Sequence, residues 1–196
     1  MLRIILVRHG ESTANKEHRY AGCSDFPLTD TGKMQARRIA ERLSGEDVTA
    51  IYSSNLSRAM ETARFIAARF GLSIKEEPSL REIDFGEWEG LTYDEIGISW
   101  AELRDAWVAD PVNISPPGGE TLTRLQKRSV EAFLKIVRQH NQGSVVIVSH
   151  AGPIRSILCK LQGRDISSFW DIPVQPGDII VVDFENSSLK DIVISA

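Results

Sequence analysis

Two cysteines, Cys23 and Cys159, are all that the chain has, and they form neither a CxxC pair nor a spaced framework. That excludes a disulfide-stapled fold and makes a reducing compartment the expectation. Long hydrophobic runs are missing as well. The opening MLRIILVRHG offers Ile4 to Val7 between two arginines, too short for a signal segment and far too short to span a bilayer. A cytoplasmic protein is expected. Positive charge is not in excess: 23 Lys+Arg against 27 Asp+Glu leave a net −4, unlike the basic stripe of a nucleic-acid binder. Any anion site must therefore be local, built by a few converging side chains. No repeat, low-complexity tract or Gly/Ser linker divides the chain, so 1–196 is read as one domain.

What remains is core material. The 42% hydrophobic content suits a sizeable core and excludes long disorder. Residues 2–7 (LRIILV) and 144–149 (SVVIVS) have the pattern of strands buried on both faces, and Val48 to Ser53 reads as another. A helix over 31–43 puts Ala36, Ile39, Ala40 and Leu43 on one face. Leu56, Ala59, Met60, Ala63, Ile66, Ala67 and Phe70 keep helical spacing until Gly71 stops it. A short strand near 73–77 leads into a Glu- and Gly-rich loop at 81–90, with helical segments at 93–108, 120–139 and 152–162. The tail reads as two strands joined by a turn around Glu185–Ser188. Alternating strands and helices predict an α/β three-layer sandwich, its central sheet mostly parallel with helices on both faces. The weakly periodic stretch 78–118 is expected to form a small cap over one sheet end.

Three basic clusters share one address in that architecture. Arg8 and His9 follow the first strand, Arg58 opens the helix after the second, and His150 follows SVVIVS. All three lie at carboxyl ends of parallel strands, where open α/β sheets bind ligands, and near helix starts that favour anions. Two arginines and two histidines there make a compact pocket for a phosphoryl group. Arginine supplies paired donors, and histidine can attack phosphorus or donate to its oxygens.

The motifs LVRHGESTAN (6–15), SSNLSRAMETA (53–63), LREIDFGEWEGLTYDEI (80–96), PPGGE (116–120) and VSHAGPIR (148–155) stand in this order along the chain. Together they resemble the histidine phosphatase superfamily, the phosphoglycerate-mutase-like group. The resemblance implies a metal-independent phosphatase, with His9 as the nucleophile that becomes phosphohistidine. By the same resemblance Arg8 and Arg58 clamp the phosphate, and His150 stabilises the transferring group. Glu82 looks like the proton donor to the leaving oxygen, with Asn15, Gly22 and Ala151 as substrate-binding positions. Neutral His9 is required for attack, and neighbouring cations favour that state. As partner the resemblance implies a small phosphorylated metabolite, with no nucleic acid, membrane, cofactor or metal, and leaves room for a homodimer.

Within the family, LREIDFGEWEGLTYDEI, the DP…PPGGE stretch and the short length most resemble α-ribazole-5′-phosphate phosphatases of cobalamin assembly. Broad-specificity and phosphoserine phosphatases share much of this pattern. Cofactor-dependent mutases are longer and carry an ERHYG-type sequence at the Glu82 position, which leaves phosphoglycerate mutase as an alternative behind the phosphatases. A silent phospho-ligand-binding relative would have lost one of Arg8, His9, Arg58, Glu82 or His150, and all five are present. His9, His150 and Glu82 could also suggest a metal site, but two nearby arginines repel a cation. Glu87 and Glu89 read as solvated loop acids with little effect on rate. His18 and His140 read as surface residues, Cys23 as an inert residue near the pocket mouth, and Cys159 as core. Phe85 and Trp88 either wall the substrate side or pack the cap.

Overall fold

Burial on both faces is what the run Ile4–Val7 demands, and the sheet supplies it. The computed structural model describes residues 1–185 and 188–195. Its strands are β1 (Leu2–Arg8), β2 (Val48–Ser53), β3 (Ile74–Glu76), β4 (Gly143–Ser149), β5 (Ile179–Glu185) and β6 (Ser188–Ser195). Its helices are α1 (Thr13–Lys16), α2 (Asp30–Arg42), α3 (Ser57–Phe70), α4 (Tyr93–Ala109), α5 (Leu122–Arg138) and α6 (Ala151–Leu161). Among the described residues the strands form one sheet in the order β3-β2-β4-β1-β5-β6. The first four strands pair in parallel, while β5 and β6 run antiparallel at one end. The turn expected around Glu185–Ser188 falls partly on Asn186 and Ser187, outside the described residues.

Alternation along the strands sorts the core into two layers. Ile4, Leu6, Val145 and Ile147 pack against Phe133 and Ile136 of α5 and Ile154 and Leu158 of α6. Ile5, Val7, Val146 and Val148 pack against Ile39 and Ala40 of α2 and Ala63 and Ile66 of α3. Helices therefore cover both faces, as the buried parallel strands require. Arg3, near the start of β1, lies opposite Asp183 of β5 and donates to both its carboxylate oxygens at 2.9 and 3.0 Å. No helix among the described residues is long and apolar enough to cross a membrane.

Helix ends follow local chemistry. Thr29, Thr92 and Thr121 accept backbone N–H bonds at the starts of α2, α4 and α5. Gly71 closes α3 at φ 64°, a left-handed conformation that glycine adopts without strain. Leu56, read as part of α3, is instead the residue before it, with extended backbone. The short α1 has no sequence periodicity to announce it; the capping box of Ser12 and Asn15 makes it. The segment expected as a cap carries a hydrophobic cluster of its own, Trp88, Ile96 and Trp107, with Tyr20 and Phe85 against it. Within it α4 kinks at Trp100, where φ is −135° and ψ 36°.

Two backbone stretches meet where β1 hands over to the site. A Cβ on Gly32 would run into the Glu11 carbonyl oxygen, and one on Gly10 into that of Gly32. Gly32→Ala is therefore expected to cost about 1–3 kcal/mol, seen as a lower urea midpoint. A wild-type midpoint would show that the two stretches can separate without cost.

Candidate active site

Strand register brings the sequence-predicted residues together. Val7 lies opposite Val148 and Arg8 opposite Ser149, so His9 and His150 leave adjacent strands side by side. Their ring centroids are 4.9 Å apart. On the far side of β4, Ser53 lies opposite Val148, which delivers Ser54 to His150 with Oγ to Nε2 at 2.8 Å. Arg58, the second residue of α3, reaches the carbonyls of the loop 21–24. His9, His150 and Arg58 are 3%, 0% and 1% exposed.

A hydrogen bond settles the proton on His9, and burial keeps both rings neutral. His9 Nδ1 lies 2.7 Å from the Gly10 carbonyl oxygen, which accepts only, so Nδ1 carries the proton and Nε2 holds the lone pair. Burial first, then the charges of Arg58 and Arg8, hold His9 well below its ordinary pKa, so the ring is neutral. Burial does the same to His150, with Arg58 and His9 adding to it. Ser54 Oγ already accepts the Leu56 N–H at 3.4 Å. When the Ser54 hydroxyl donates to His150 Nε2, the proton of the neutral ring sits on Nδ1, which is then a donor. That Nδ1 is buried without a protein partner, and so is Arg8 Nε. Buried donors without acceptors are costly. Here both belong to residues that the sequence assigns to phosphoryl binding.

The arginines are anchored rather than free. Arg8 Nη1 donates to the Val174 carbonyl at 2.6 Å, and burial lowers its pKa to about 10. Arg58 spends three N–H groups on the carbonyls of Ala21, Gly22 and Ser24, which leaves donors to spare. Glu82 lies across the start of α6. Its carboxylate accepts the Gly152 N–H at 3.0 and 3.1 Å and the Ile83 N–H at 2.9 Å. A helix N-terminus suits a carboxylate, and Gly152 is needed for the approach, because a Cβ there would strike Glu82 Oε1.

The remaining expected positions are placed as follows. Asn15 uses Oδ1 to accept from Ser12, so its amide N–H group is what it can offer to a ligand; with Glu82 it lines a cleft of about 420 Å³. Ala151 starts α6 and borders a smaller cleft, also with Glu82. Gly22 shapes the wall, but its N–H is taken by Glu89 and its carbonyl by Arg58. Phe85 borders both clefts, whereas Trp88 is fully buried in the segment's own cluster.

Sequence reasoning missed two positioning groups. Glu89, read as a solvated loop acid, accepts the N–H groups of Gly22, Cys23, Ser24 and Phe85. Together with Arg58 it pins the loop from both sides, so Glu89 is a part-buried acceptor rather than a solvated one. Arg128 donates to the carbonyls of Ser79, Arg81 and Glu82 and to both oxygens of Glu120. The glutamate of PPGGE thus holds the loop that carries Glu82. Nothing in spacing announces Glu89 or Arg128, because each acts on backbone far away in the chain.

Residues 4–192 match the family described as Histidine phosphatase superfamily (branch 1). The chain belongs to that superfamily. Phosphoserine phosphatase 1 of Hydrogenobacter thermophilus is 39% identical over 186 residues, covering 94% of this chain and 88% of that one. A probable phosphoglycerate mutase GpmB of Yersinia pestis is 31% identical over 187 residues, 95% of this chain and 87% of its own. The solved structure of the alpha-ribazole phosphatase from Shigella flexneri superposes with a TM-score of 0.90 at 31% identity, over 99% of this chain and 96% of that one. The superfamily fold and the six-stranded, mostly parallel sheet agree with the architecture read from the sequence.

Two predictions follow from the geometry. The folded protein binds protons on His9 and His150 less readily than the unfolded chain. Stability is therefore kept above the free-histidine value of 6.5 and lost as the pH falls beneath it. Each ring contributes up to about 1.4 kcal/mol per pH unit there. Urea melts across that range should show the slope and His9→Gln should flatten it; an unchanged slope would refute the assignment. Gly152→Ala should displace the Glu82 carboxylate and match Glu82→Gln, a loss of about a hundredfold on alkyl phosphates, while Glu87→Gln stays near wild type. A fully active Gly152→Ala enzyme would show that Glu82 works elsewhere.

Proposed function

We propose that the protein is a phosphomonoesterase that works through a phosphohistidine on His9. The observation that carries this reading is the neutral His9 ring with its lone pair on Nε2, 4.9 Å from the His150 ring, and the burial of Arg8 Nε and His150 Nδ1 without a protein partner. In the first step Nε2 attacks phosphorus, the ester P–O bond breaks, and protonated Glu82 gives its proton to the leaving oxygen. In the second, the Glu82 carboxylate takes a proton from water as the water oxygen attacks phosphorus and the P–N bond breaks. Inorganic phosphate leaves and His9 is restored. Arg8, Arg58 and His150 offset charge on the phosphoryl oxygens, the main electrostatic task in such transfers. Three cationic or donor groups around the histidines leave no role for a bound cation, and the reaction is read as metal-independent in the cytoplasm.

Substrate choice falls to the leaving-group side. Tyr20, Phe85, Tyr93 and Trp170 line the larger cleft there, and aromatic faces suit a flat, apolar body. That wall, and the likeness to the alpha-ribazole phosphatase structure, support α-ribazole-5′-phosphate as the substrate. The 39% identity to phosphoserine phosphatase 1 favours phosphoserine as the second reading.

Incubation with a radiolabelled phosphate ester should give an acid-labile, alkali-stable label on the enzyme that is absent in His9→Ala. The variant should lose at least about a thousandfold in kcat. Turnover should survive a chelator and be inhibited by vanadate, which imitates the transition state. Label retained in His9→Ala, or activity restored by an added divalent ion after chelation, would sink the mechanism. Comparison of kcat/KM for α-ribazole-5′-phosphate, phosphoserine, 3-phosphoglycerate and fructose 2,6-bisphosphate decides the substrate.

A further inference from the structure

Arg155 has no task in the chemistry above, yet it stands in the pocket. It lies on α6 three residues beyond Gly152, whose N–H holds Glu82, and residues three apart share a helix face. Its guanidinium is clamped. Nε donates to the Ile172 carbonyl at 2.9 Å, and its central carbon lies 5.4 Å from the ring centroids of both Phe169 and Trp170. Among the described residues no carboxylate pairs with it, and neither Nη group makes a hydrogen bond. Arg155 is part-buried, and its two Nη groups face solvent, free to trade water for the oxygens of a ligand.

The clefts around it say what those acceptors are. Arg155 borders a cleft of about 80 Å³ with Glu82, Phe85 and Ala151. This cleft is much smaller than the one of about 420 Å³ beside it and mostly apolar apart from Glu82 and Arg155, so it takes one end of a ligand and leaves the rest to that neighbour. It shares Glu82, Phe85 and Trp170 with the larger cleft. A guanidinium fork matches two oxygens side by side, which an ammonium cannot do.

The geometry points to Arg155 as the residue that reads the leaving group: its two Nη groups donate to an adjacent pair of oxygens on the alcohol of the ester. That pair is a carboxylate or the vicinal hydroxyls of a pentose, and the larger cleft takes the rest of the alcohol. The inference rests on the phosphomonoesterase reading of the site. It explains why the clamp on Arg155 uses ring faces and Nε, leaving the fork open.

Kinetics of wild type, Arg155→Lys and Arg155→Met on three esters test it. α-Ribazole-5′-phosphate carries vicinal hydroxyls, O-phosphoserine a carboxylate, and 4-nitrophenyl phosphate neither. Wild type should prefer at least one of the first two over nitrophenyl phosphate in kcat/KM. For that ester Arg155→Met should lose about 30- to 100-fold, mostly in KM, against about 3-fold for nitrophenyl phosphate, with lysine recovering only a small part. The ester with the larger loss identifies the oxygen pair. A role confined to packing would lower all three alike and weaken vanadate inhibition equally. That outcome, full recovery by lysine, or no wild-type preference would each overturn the assignment. Failure of the underlying reading shows separately, as absence of a His9 phosphoenzyme in wild type with every ester.

Discussion

Parallel pairing of β1 with β4 sets Val7 against Val148 and Arg8 against Ser149, and the His9 N–H continues the ladder to the Ser149 carbonyl at 3.0 Å. A slip of one residue would send the two histidines to opposite faces of the sheet. The register is held by the apolar side chains on either face, Ile4 and Leu6 on one and Ile5 and Val7 on the other. Burial at about 25 cal/mol per Å² of apolar surface fixes it. The polar pocket is thus positioned by contacts that contain no polar atoms.

Charge is what the pocket stores. Arg8 and Arg58 lie buried close to two histidines that burial keeps neutral. Each arginine is tied to main-chain carbonyls rather than to a carboxylate, so its charge remains available to a ligand. Carboxylates stand apart from this cluster on main-chain N–H groups: Glu82 on Gly152 and Ile83, Glu89 on the loop beginning at Gly22. Direct ion pairing between the two sets would have cancelled the field that phosphoryl transfer needs. Backbone groups serve as neutral spacers.

Legibility in the sequence followed the range of the interaction. Strands and helices with a strong period, such as Leu2–Arg8 and Ser57–Phe70, could be read to within a residue or two because the signal is local. His9, Arg58 and His150 could be placed together because topology alone puts strand ends on one side. Ser54, Glu89, Arg128 and Arg155 could not, although Arg155 stood in a quoted motif. The Glu89 bond to Ser24 spans 65 positions and the Arg155 bond to Ile172 spans 17. Ser54 meets a ring 96 positions away, and the other three bond mainly to carbonyls and amides that carry no residue identity. The capping box that builds α1 was equally quiet, since four residues are too few for a period.

The two sides of the pocket have separate origins. Phosphoryl-handling groups come from sheet ends and helix starts, whereas the leaving-group wall comes from the segment around Phe85 and Tyr93 and from the stretch holding Phe169 and Trp170. The first of these segments has its own small core of Trp88, Ile96 and Trp107. The two sides share Glu82 and Glu89; beyond those carboxylates, distant sites respond to substitution almost independently. Such a scaffold can be retargeted by exchanging surface aromatics on the two wall segments while its reaction chemistry stays intact. One ancestral pocket could diversify across many alcohols without passing through inactive intermediates.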